Sequence, residues 1–293
     1  MNIHQSIFLF SFFFCFISKS LSQPTSWSFQ NWQSYSKDVP SSNPRWKSEW
    51  KIPDQGGWSW PWQEENINYS IVNDPSRSSQ EKGILQVTYP AHSMNPNTFP
   101  QGGIGFYARP LSLSRPAASL DFSYKVYFPK NFDFVKGGKL PGLFGGHEQC
   151  SDGTKSSTCF STRFMWRENG KGEIYAYIPS RLQTKHLCQT NGNICNSAYG
   201  YSLGRGSWTF KTNAWNTVRQ VITLNTLGKQ DGDITIYING NQVYKQSNLV
   251  YRTSATNNEF GIVFDTFFGG STSDFKTPKT QHTYFKEFSL KAH

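Results

Sequence analysis

The sequence predicts an all-β protein, a single-domain β-sandwich or jelly roll with one concave sheet. Short apolar runs with strand-like alternation recur along the chain, and Gly, Pro, Asn or Asp residues bound many of them. Few segments show the period of an amphipathic helix. Asn-Gly pairs at residues 169–170 and 239–240 are typical of tight hairpin turns. An antiparallel sheet built this way can leave one face open to a ligand.

Residues 1–22 have the pattern of a secretory signal peptide. The apolar run at residues 7–17 is too short to span a bilayer and long enough for a signal-peptide core. Small residues at 20–22 place the expected cleavage before Gln23. No later apolar run approaches membrane length, and no linker, charge block or repeat divides the remainder. We therefore expect a secreted protein whose residues 23–293 form one domain.

The domain begins with a tryptophan-rich segment, at about residues 23–80. Tryptophans at this density can form a stacking platform for sugars, or they can pack as a strap over a sheet, which is the interpretation we favour. The tryptophans are Trp27, Trp32, Trp46, Trp50, Trp58, Trp60 and Trp62.

Strand-like runs then follow in order. They occupy residues 84–89, 104–108, 120–128, 160–167, 173–178, 215–224, 234–238, 243–244, 260–268 and 283–290. The clearest hairpin covers residues 233–246, where Ile234, Ile236 and Ile238 share one face before an Asn-Gly turn.

A second hairpin, at residues 160–178, places polar groups on one face. With a loop centred on Asn169, Ser161 lies opposite Tyr177. The same register places Arg163 opposite Tyr175. One hydroxyl, one guanidinium and two phenols then form a single patch. A two-residue loop would shift the register by one position and separate these groups.

Four cysteines remain after removal of the signal peptide, which contains Cys15. An even number in a secreted chain indicates disulfides, and three connectivities are formally allowed. We favour the local pairs Cys150–Cys159 and Cys188–Cys195. Their spacing and the oxidising compartment disfavour a zinc site. Asn68 begins the one N-glycosylation sequon that we identify.

The charge balance favours a polyanionic partner. Without Lys19 of the signal peptide, 28 basic side chains face 19 acidic ones. Nucleic acid fits poorly with secretion and with the absence of a long Lys/Arg run, so we expect no nucleic-acid partner. An acidic polysaccharide fits better, and charge that serves solubility alone is the remaining alternative.

The residues favour β-elimination over hydrolysis. No predicted strand carries two carboxylates two residues apart on one face, as expected for a glycoside hydrolase, because Asp231 and Asp233 lie at a turn. In β-elimination on a uronic acid, Arg163 would bind the substrate carboxylate. Tyr175 or Tyr177 would serve as acid or base, or a desolvated Lys139 would be the base. This scheme needs no metal or other cofactor.

Six stretches resemble polysaccharide lyase family 14, which includes alginate and glucuronan lyases, over residues 99–290. They are KGGKLPGLFGG, CFSTRFMWR, IYAYIP, GYSLGRGSWTF, NTLGKQDGDITIYING and FDTFFGG. The resemblance implies a β-jelly roll that cleaves polyuronates by β-elimination without a bound metal. It also implies that the functional residues are Lys139, Ser161, Arg163, Tyr175 and Tyr177.

Further substrate contacts are expected around this patch. Where some family members have a substrate-contacting histidine, this chain has Lys155, and the nearest histidine is His147. The remaining candidates are Tyr107, Arg109, His282 and Tyr284. Each of these side chains also has a plain structural interpretation, in a loop, an ion pair or a packed strand.

Together these observations predict a secreted polyuronate lyase that acts as a monomer on acidic polysaccharide, without a membrane partner. The alternative, from another functional class, is a non-catalytic protein that holds acidic polysaccharide on the same face.

Overall fold

The computed structural model describes residues 25–35, 45–61, 68–76, 80–111, 117–150, 158–196, 199–254 and 260–293. The predicted signal peptide, Trp62 and Lys155 lie outside these ranges. The described ranges form a short helix, α1 (Lys47–Trp50), and sixteen strands. The strands are β1 (Ser26–Phe29), β2 (Trp58–Trp60), β3 (Tyr69–Asn73), β4 (Lys82–Tyr89), β5 (Ile104–Ala108), β6 (Ser119–Phe128), β7 (Gly137–Gly145), β8 (Phe160–Arg167), β9 (Gly172–Tyr177), β10 (Ile194–Asn196), β11 (Gly200–Leu203), β12 (Ala214–Thr223), β13 (Gly232–Ile238), β14 (Asn241–Leu249), β15 (Phe260–Phe268) and β16 (Gln281–Ala292). Short 3₁₀ turns occupy Gln33–Tyr35, Glu168–Gly170, Ser180–Leu182, Lys185–Gln189 and Ser273–Phe275.

The strands form two antiparallel sheets of eight strands each. Sheet I has the order β14-β13-β12-β6-β16-β4-β3, and β1 also pairs with β16. Sheet II has the order β10-β11-β9-β8-β7-β15-β5-β2. Strands distant in sequence are neighbours in both sheets, as β7 and β15 are in sheet II. This arrangement confirms the predicted all-β sandwich of the jelly-roll type.

The apolar core lies between the two sheets. Phe122 and Ile222 of sheet I and Phe164 and Phe264 of sheet II are fully buried and belong to one cluster. Alternation along each strand sends the intervening side chains to the outer faces. The outer face of sheet II is therefore available for polar residues.

Both predicted hairpins form at their Asn-Gly pairs. The β13–β14 turn has Asn239 at φ 52° and Gly240 at φ 84°, positive values that tight hairpin turns require. At the β8–β9 turn, Asn169 has φ 60°, and the amide of Arg167 donates to the Lys171 carbonyl across three intervening residues. The loop is thus centred on Asn169, which is one of the two loop arrangements that the sequence left open.

The tryptophan-rich segment packs into the core. Trp32, Trp46 and Trp50 are fully buried, and Trp50 packs edge to face against Phe106 and Phe288, one from each sheet. Buried indole rings cannot present a flat face to a sugar, so these tryptophans act as the packing strap that we favoured.

Two further predictions about covalent structure have different outcomes. The disulfides Cys150–Cys159 and Cys188–Cys195 are present, with Cα–Cα distances of 5.8 Å and 5.6 Å. The structure argues against glycosylation at Asn68, because its side chain is buried. Its Nδ2 donates to the carbonyl oxygens of Gln101 at 2.9 Å and Gly103 at 3.2 Å, so both of its hydrogens are already used.

Candidate active site

The candidate active site lies on the outer face of sheet II, at the centre of β7, β8, β9 and β15. Strand β8 is buried on both faces from Phe160 to Trp166. Its even-numbered side chains enter the core, and Arg163 and Met165 face outward. The register pairs Ser161 with Tyr177 and Arg163 with Tyr175. The structure therefore has the register that groups these residues, and Arg163, Tyr175 and Tyr177 of the expected patch line the cleft.

An open cleft of about 630 Å³ covers this patch. Its floor comes from β7, β8 and β9. One wall comes from β10, Tyr199 and β11, and the other from the segments around Asn95 and Gly270. The lining includes Lys139, Arg163, Met165, Arg167, Tyr175, Tyr177, Asn196, Tyr199, Arg205, Phe267 and Phe275. Cations and aromatic rings thus dominate the cleft.

Lys139 places a buried amine in the cleft floor. The Nζ atom lies 4.1 Å from the centre of the Tyr175 ring and 3.6 Å from the Met165 sulfur. In the described part of the chain, no carboxylate forms an ion pair with this amine. Burial lowers the pKa of Lys139 well below its usual value, and the nearby Arg163 and Arg167 lower the pKa further. An amine in this environment releases its proton at a lower pH than an ordinary lysine does.

A bulge in β7 positions Lys139. The pairing of β7 with β8 shifts between Lys139 and Gly142. Gly142 lies opposite Arg163, and a Cβ atom at this position would come within 2.0 Å of the Thr162 carbonyl oxygen. Glycine therefore allows the close approach of β7 to β8.

Arg163 is anchored by a residue that sequence reasoning missed. Its Nη1 donates to Asp265 of β15, and both side chains are almost fully buried. Its guanidinium carbon lies 5.0 Å from the centre of the Tyr177 ring. Burial lowers the pKa of the guanidinium, but Asp265 and the neighbouring phenols outweigh this effect and raise it above its usual value. Arg163 is thus a permanent cation with a fixed orientation.

Tyr175 and Tyr177 lie side by side, with ring centres 5.4 Å apart. Each ring faces a cation, Lys139 for Tyr175 and Arg163 for Tyr177. Burial raises the pKa of Tyr175 to about 12, and the adjacent Tyr177 contributes to the rise. Tyr175 therefore stays protonated at neutral pH, when it can donate a proton but not accept one.

A fully buried carboxylate, Glu173, lies behind the cleft. Arg167 donates to its Oε1 through Nε at 2.8 Å, and Arg205 donates to its Oε2 at 2.6 Å. Ser202 donates a third hydrogen bond. Burial raises the pKa of Glu173, but the two arginines outweigh this effect and lower it below its usual value. The carboxylate is thus ionised and holds two arginines at the cleft.

Other predicted site residues lie near the cleft without lining it. The Ser161 hydroxyl donates to the Cys150 carbonyl at 3.1 Å, so it braces the disulfide loop. The Tyr107 hydroxyl accepts from the amide of Gln149 at 2.9 Å. Arg109 pairs with Glu148 at 2.6 Å.

His147 is exposed and is bonded to the Glu148 carbonyl and to Thr158. The structure therefore does not bring His147 to the cleft lining. Lys155, the other candidate in this polar loop, lies outside the described residues.

The expectation that His282 and Tyr284 line the groove is corrected. Both residues belong to β16, which pairs with β4 and β6 in sheet I. Their side chains contact Thr88 and Gln86 of β4 on the outer face of that sheet. The core therefore separates them from the cleft.

Sequence reasoning missed several cleft residues. Asp265 carried a signal, a lone carboxylate in the otherwise apolar run FDTFFGG, and such an acid needs a buried partner. Arg167 and Glu173 flank the hairpin turn and were visible as charges on its outer face. Asn95 and Tyr199 carried no signal, because they reach the cleft from separate loops.

The lining of the cleft has amine, guanidinium, phenol, amide and hydroxyl groups, and these differ from the carboxylate and imidazole groups that usually bind metals. In the described ranges, no group of three or more His, Cys, Asp or Glu side chains could hold a metal ion.

No helix in these ranges is long and apolar enough to cross a membrane.

Comparisons with known proteins agree with this architecture. A family model of polysaccharide lyase 14 matches residues 77–288. The crystal structure of the marine alginate lyase of this family from Aplysia kurodai superposes with a TM-score of 0.74 and 33% identity, and covers 92% of this chain and 100% of that chain. An alginate lyase from Chlorella virus has the same fold, with a TM-score of 0.64 and 24% identity over 77% of this chain and 89% of that chain.

A curated relative, Exolysin of Paramecium bursaria Chlorella virus 1, is 27% identical over 199 residues. The match covers 61% of this chain but 30% of Exolysin, so this chain corresponds to less than a third of that protein.

The fold and the cationic cleft define a β-sandwich protein of the polysaccharide lyase class. The chain belongs to polysaccharide lyase family 14, which agrees with the resemblance found in its sequence.

Proposed function

We propose that this protein is a secreted lyase that cleaves a polyuronate of the alginate or glucuronan type by β-elimination, without a metal ion. One observation carries the proposal. The cleft floor combines a buried amine that has no carboxylate partner in the described ranges, Lys139, with an anchored guanidinium and two phenols. β-Elimination at a uronic acid needs a base, a carboxylate-binding cation and an acid, and these groups supply all three.

The reaction begins with neutralisation of the substrate carboxylate. Arg163 is the cation for this step, because Asp265 fixes its position and its side chain is among those that line the cleft. Pairing with the carboxylate acidifies the proton on carbon 5 of the uronate. Lys139, whose pKa is lowered by burial, accepts this proton in its neutral form.

The electron pair of the broken carbon–hydrogen bond then forms a double bond between carbons 4 and 5. The bond between carbon 4 and the glycosidic oxygen breaks, and the leaving oxygen takes a proton from a phenol. Tyr175 and Tyr177 are the phenols that lie against Lys139 and Arg163 on the cleft floor, and the high pKa of Tyr175 suits this role. The products are an unsaturated uronate end and a new hydroxyl end.

The substrate class rests on charge and on the named relatives. The Aplysia kurodai and Chlorella virus structures are alginate lyases. The chain as a whole has a formal charge of +10, which suits an acidic polymer. Two disulfides support secretion, because such bonds persist in oxidising compartments. An intact mass of the exported protein that corresponds to residues 23–293 would verify the predicted signal peptide.

A substrate panel tests the activity. Purified protein is incubated with polymannuronate, polyguluronate, glucuronan and a glucuronate-bearing glycosaminoglycan while ultraviolet absorbance is followed. We expect a rise on at least one polymer, since the new double bond is conjugated with the carboxylate. The Lys139→Met variant is the matched control and should produce no rise. Binding to a polymer without any rise would instead identify a non-catalytic polysaccharide-binding protein.

The phenol that donates the proton is found with two further variants. Tyr175→Phe and Tyr177→Phe each remove one hydroxyl and keep the ring under its cation. The variant that lacks the donor should lose about 10²- to 10⁴-fold in kcat, the typical contribution of general acid catalysis. Equal and small losses in both variants would contradict a phenol as the acid.

A further inference from the structure

A second cavity adjoins the cleft at the β8–β9 turn. Its volume is about 330 Å³, and Arg167, Arg205 and Phe275 line both cavities. Lys136 and Lys171 add two more cations, and Glu168 is its one acidic lining residue. The two cavities therefore form a continuous surface with positive charge.

Arg167 and Arg205, which line both cavities, are fixed by ion pairs beneath the surface. Both bond to the same buried carboxylate, Glu173, so two positive charges share one negative charge. The Arg205 side chain keeps 34% of its surface exposed. In the described ranges it donates only through Nε, to Glu173 and Ser202. Its terminal nitrogens are thus available for a ligand.

The rest of the cavity suits a sugar acid. Lys171 is exposed and has no ion pair with a carboxylate in the described ranges. Lys136 pairs with Asp274, and its amine lies 5.8 Å from the centre of the Phe275 ring. Phe275 offers an apolar wall for a sugar ring, while Lys171 and Arg205 offer donors for a carboxylate.

We propose that this cavity is an additional subsite for a uronate residue of the same polymer, whose carboxylate binds Arg205 and Lys171. The inference rests on the proposed function of the cleft. Arg167 lies four residues along β8 from Arg163, which corresponds to about 13 Å. This span exceeds one sugar ring, so the subsite holds a different residue from the one that reacts. A lyase that also binds the polysaccharide at this subsite prefers long polymers and cleaves them at internal bonds.

Charge reversal at Lys171 tests the subsite. We expect Lys171→Glu to raise KM for long polyuronate by about fivefold, roughly the effect of one or two exposed charge contacts, with kcat retained. The increase should shrink as the substrate is shortened towards the smallest oligosaccharide that the protein still cleaves. Lys245→Glu is the matched control, because it makes the same charge change at an exposed position of β14 in sheet I. It should leave KM unchanged. Lys171→Ala should give a smaller increase in the same direction.

Two outcomes separate this inference from the proposed function. Equal KM values and equal polymer affinities for the unmodified protein, Lys171→Glu and Lys245→Glu would overturn the subsite while leaving the lyase activity intact. If the unmodified protein binds polyuronate without cleaving it, the proposed function fails. Weaker polymer binding by Lys171→Glu than by Lys245→Glu would still support the subsite in that case.

Discussion

The amine of Lys139 lies 4.1 Å from the centre of the Tyr175 ring, although the two residues come from β7 and β9, which β8 separates. Lys139 pairs with Met165, and Met165 pairs with Glu173. The lysine side chain therefore reaches diagonally over β8, past the Met165 sulfur at 3.6 Å. This path buries the amine against a thioether and an aromatic face, which lowers its pKa.

The first prediction concerns the pH dependence of cleavage. If neutral Lys139 is the base, kcat/KM should rise with pH through its lowered pKa and level off well below pH 10.4, where an ordinary lysine titrates. Lys139→Arg keeps the positive charge but cannot lose its proton, so it should lower kcat by about 10²-fold or more. Its residual activity should lack this rising limb.

Rates for both proteins on one polymer across this pH range are the measurement. A rising limb retained in Lys139→Arg would assign that limb to another group. Lys245→Arg is the matched control, because it makes the same change at an exposed position of sheet I.

A second prediction is that the buried amine of Lys139 reduces the stability of the protein. Lys139→Met replaces a buried amine, which has no carboxylate partner in the described ranges, with an apolar chain of similar length. We expect the free energy of unfolding near neutral pH to rise by about 1 to 2 kcal/mol. Denaturant unfolding of both proteins is the measurement.

The sign of its pH dependence follows from the lowered folded-state pKa of Lys139. Below that pKa, the folded protein must bury the charge. As pH rises from there towards the ordinary lysine value near 10.4, the unfolded chain holds the extra proton and the unmodified protein gains stability. The advantage of Lys139→Met should therefore shrink across this window. An advantage that does not change with pH would contradict a lowered pKa.

The third prediction concerns Asp265, the anchor of Arg163. Asp265→Asn keeps the shape of the side chain and leaves a buried guanidinium without its counter-ion. We expect a loss of about 3 to 5 kcal/mol in the free energy of unfolding, as is usual when one member of a buried ion pair is removed.

A second substitution at the partner provides the control. The double variant Asp265→Asn/Arg163→Gln removes the charge as well, so it should recover part of the stability but not the activity. Thermal unfolding of the single and double variants gives the coupling between the residues. Independent, additive effects would show that Asp265 does not anchor Arg163.

The fourth prediction is that Asn68 carries no glycan. Its Nδ2 makes two hydrogen bonds to backbone carbonyls inside the protein. Ser70→Ala removes the sequon and should leave the intact mass of the exported protein unchanged apart from the substitution itself. Asn68→Asp removes the donor group and should lower stability by about 1 to 3 kcal/mol, the cost of unsatisfied buried carbonyls. A larger mass difference for Ser70→Ala would contradict the prediction.

The sequence predicted the features that depend on residues close together in the chain, such as the hairpin turns and the disulfides. The Asn-Gly pair at 169–170 sets the register of β8 and β9, because its backbone tolerates the positive φ values of the turn. Counting outward from a loop centred on Asn169 places Arg163 opposite Tyr175, and the structure selects this loop over the two-residue alternative. The disulfides followed in the same way, since each joins cysteines within ten residues of one another.

Other features of the site depend on the order of strands, which local patterns do not contain. Asp265 reaches Arg163 because β15 lies beside β7 and close to β8, although the two residues are 102 positions apart. His282 and Tyr284 were expected at the groove, yet β16 joins the opposite sheet. Either sheet could have accepted that strand, because alternation defines the faces of a strand and not its neighbours.

The sequence by itself thus determined the all-β class, the positions of the two hairpins, the local disulfides and the candidate polar face of β8 and β9. Turn geometry and side-chain alternation act over a few residues, so they can be read directly from the order of amino acids. The tertiary structure decided the counter-ion of Arg163, the wall that carries Arg205 and the burial of Lys139. These depend on contacts between distant strands, and only the packing of both sheets selects them.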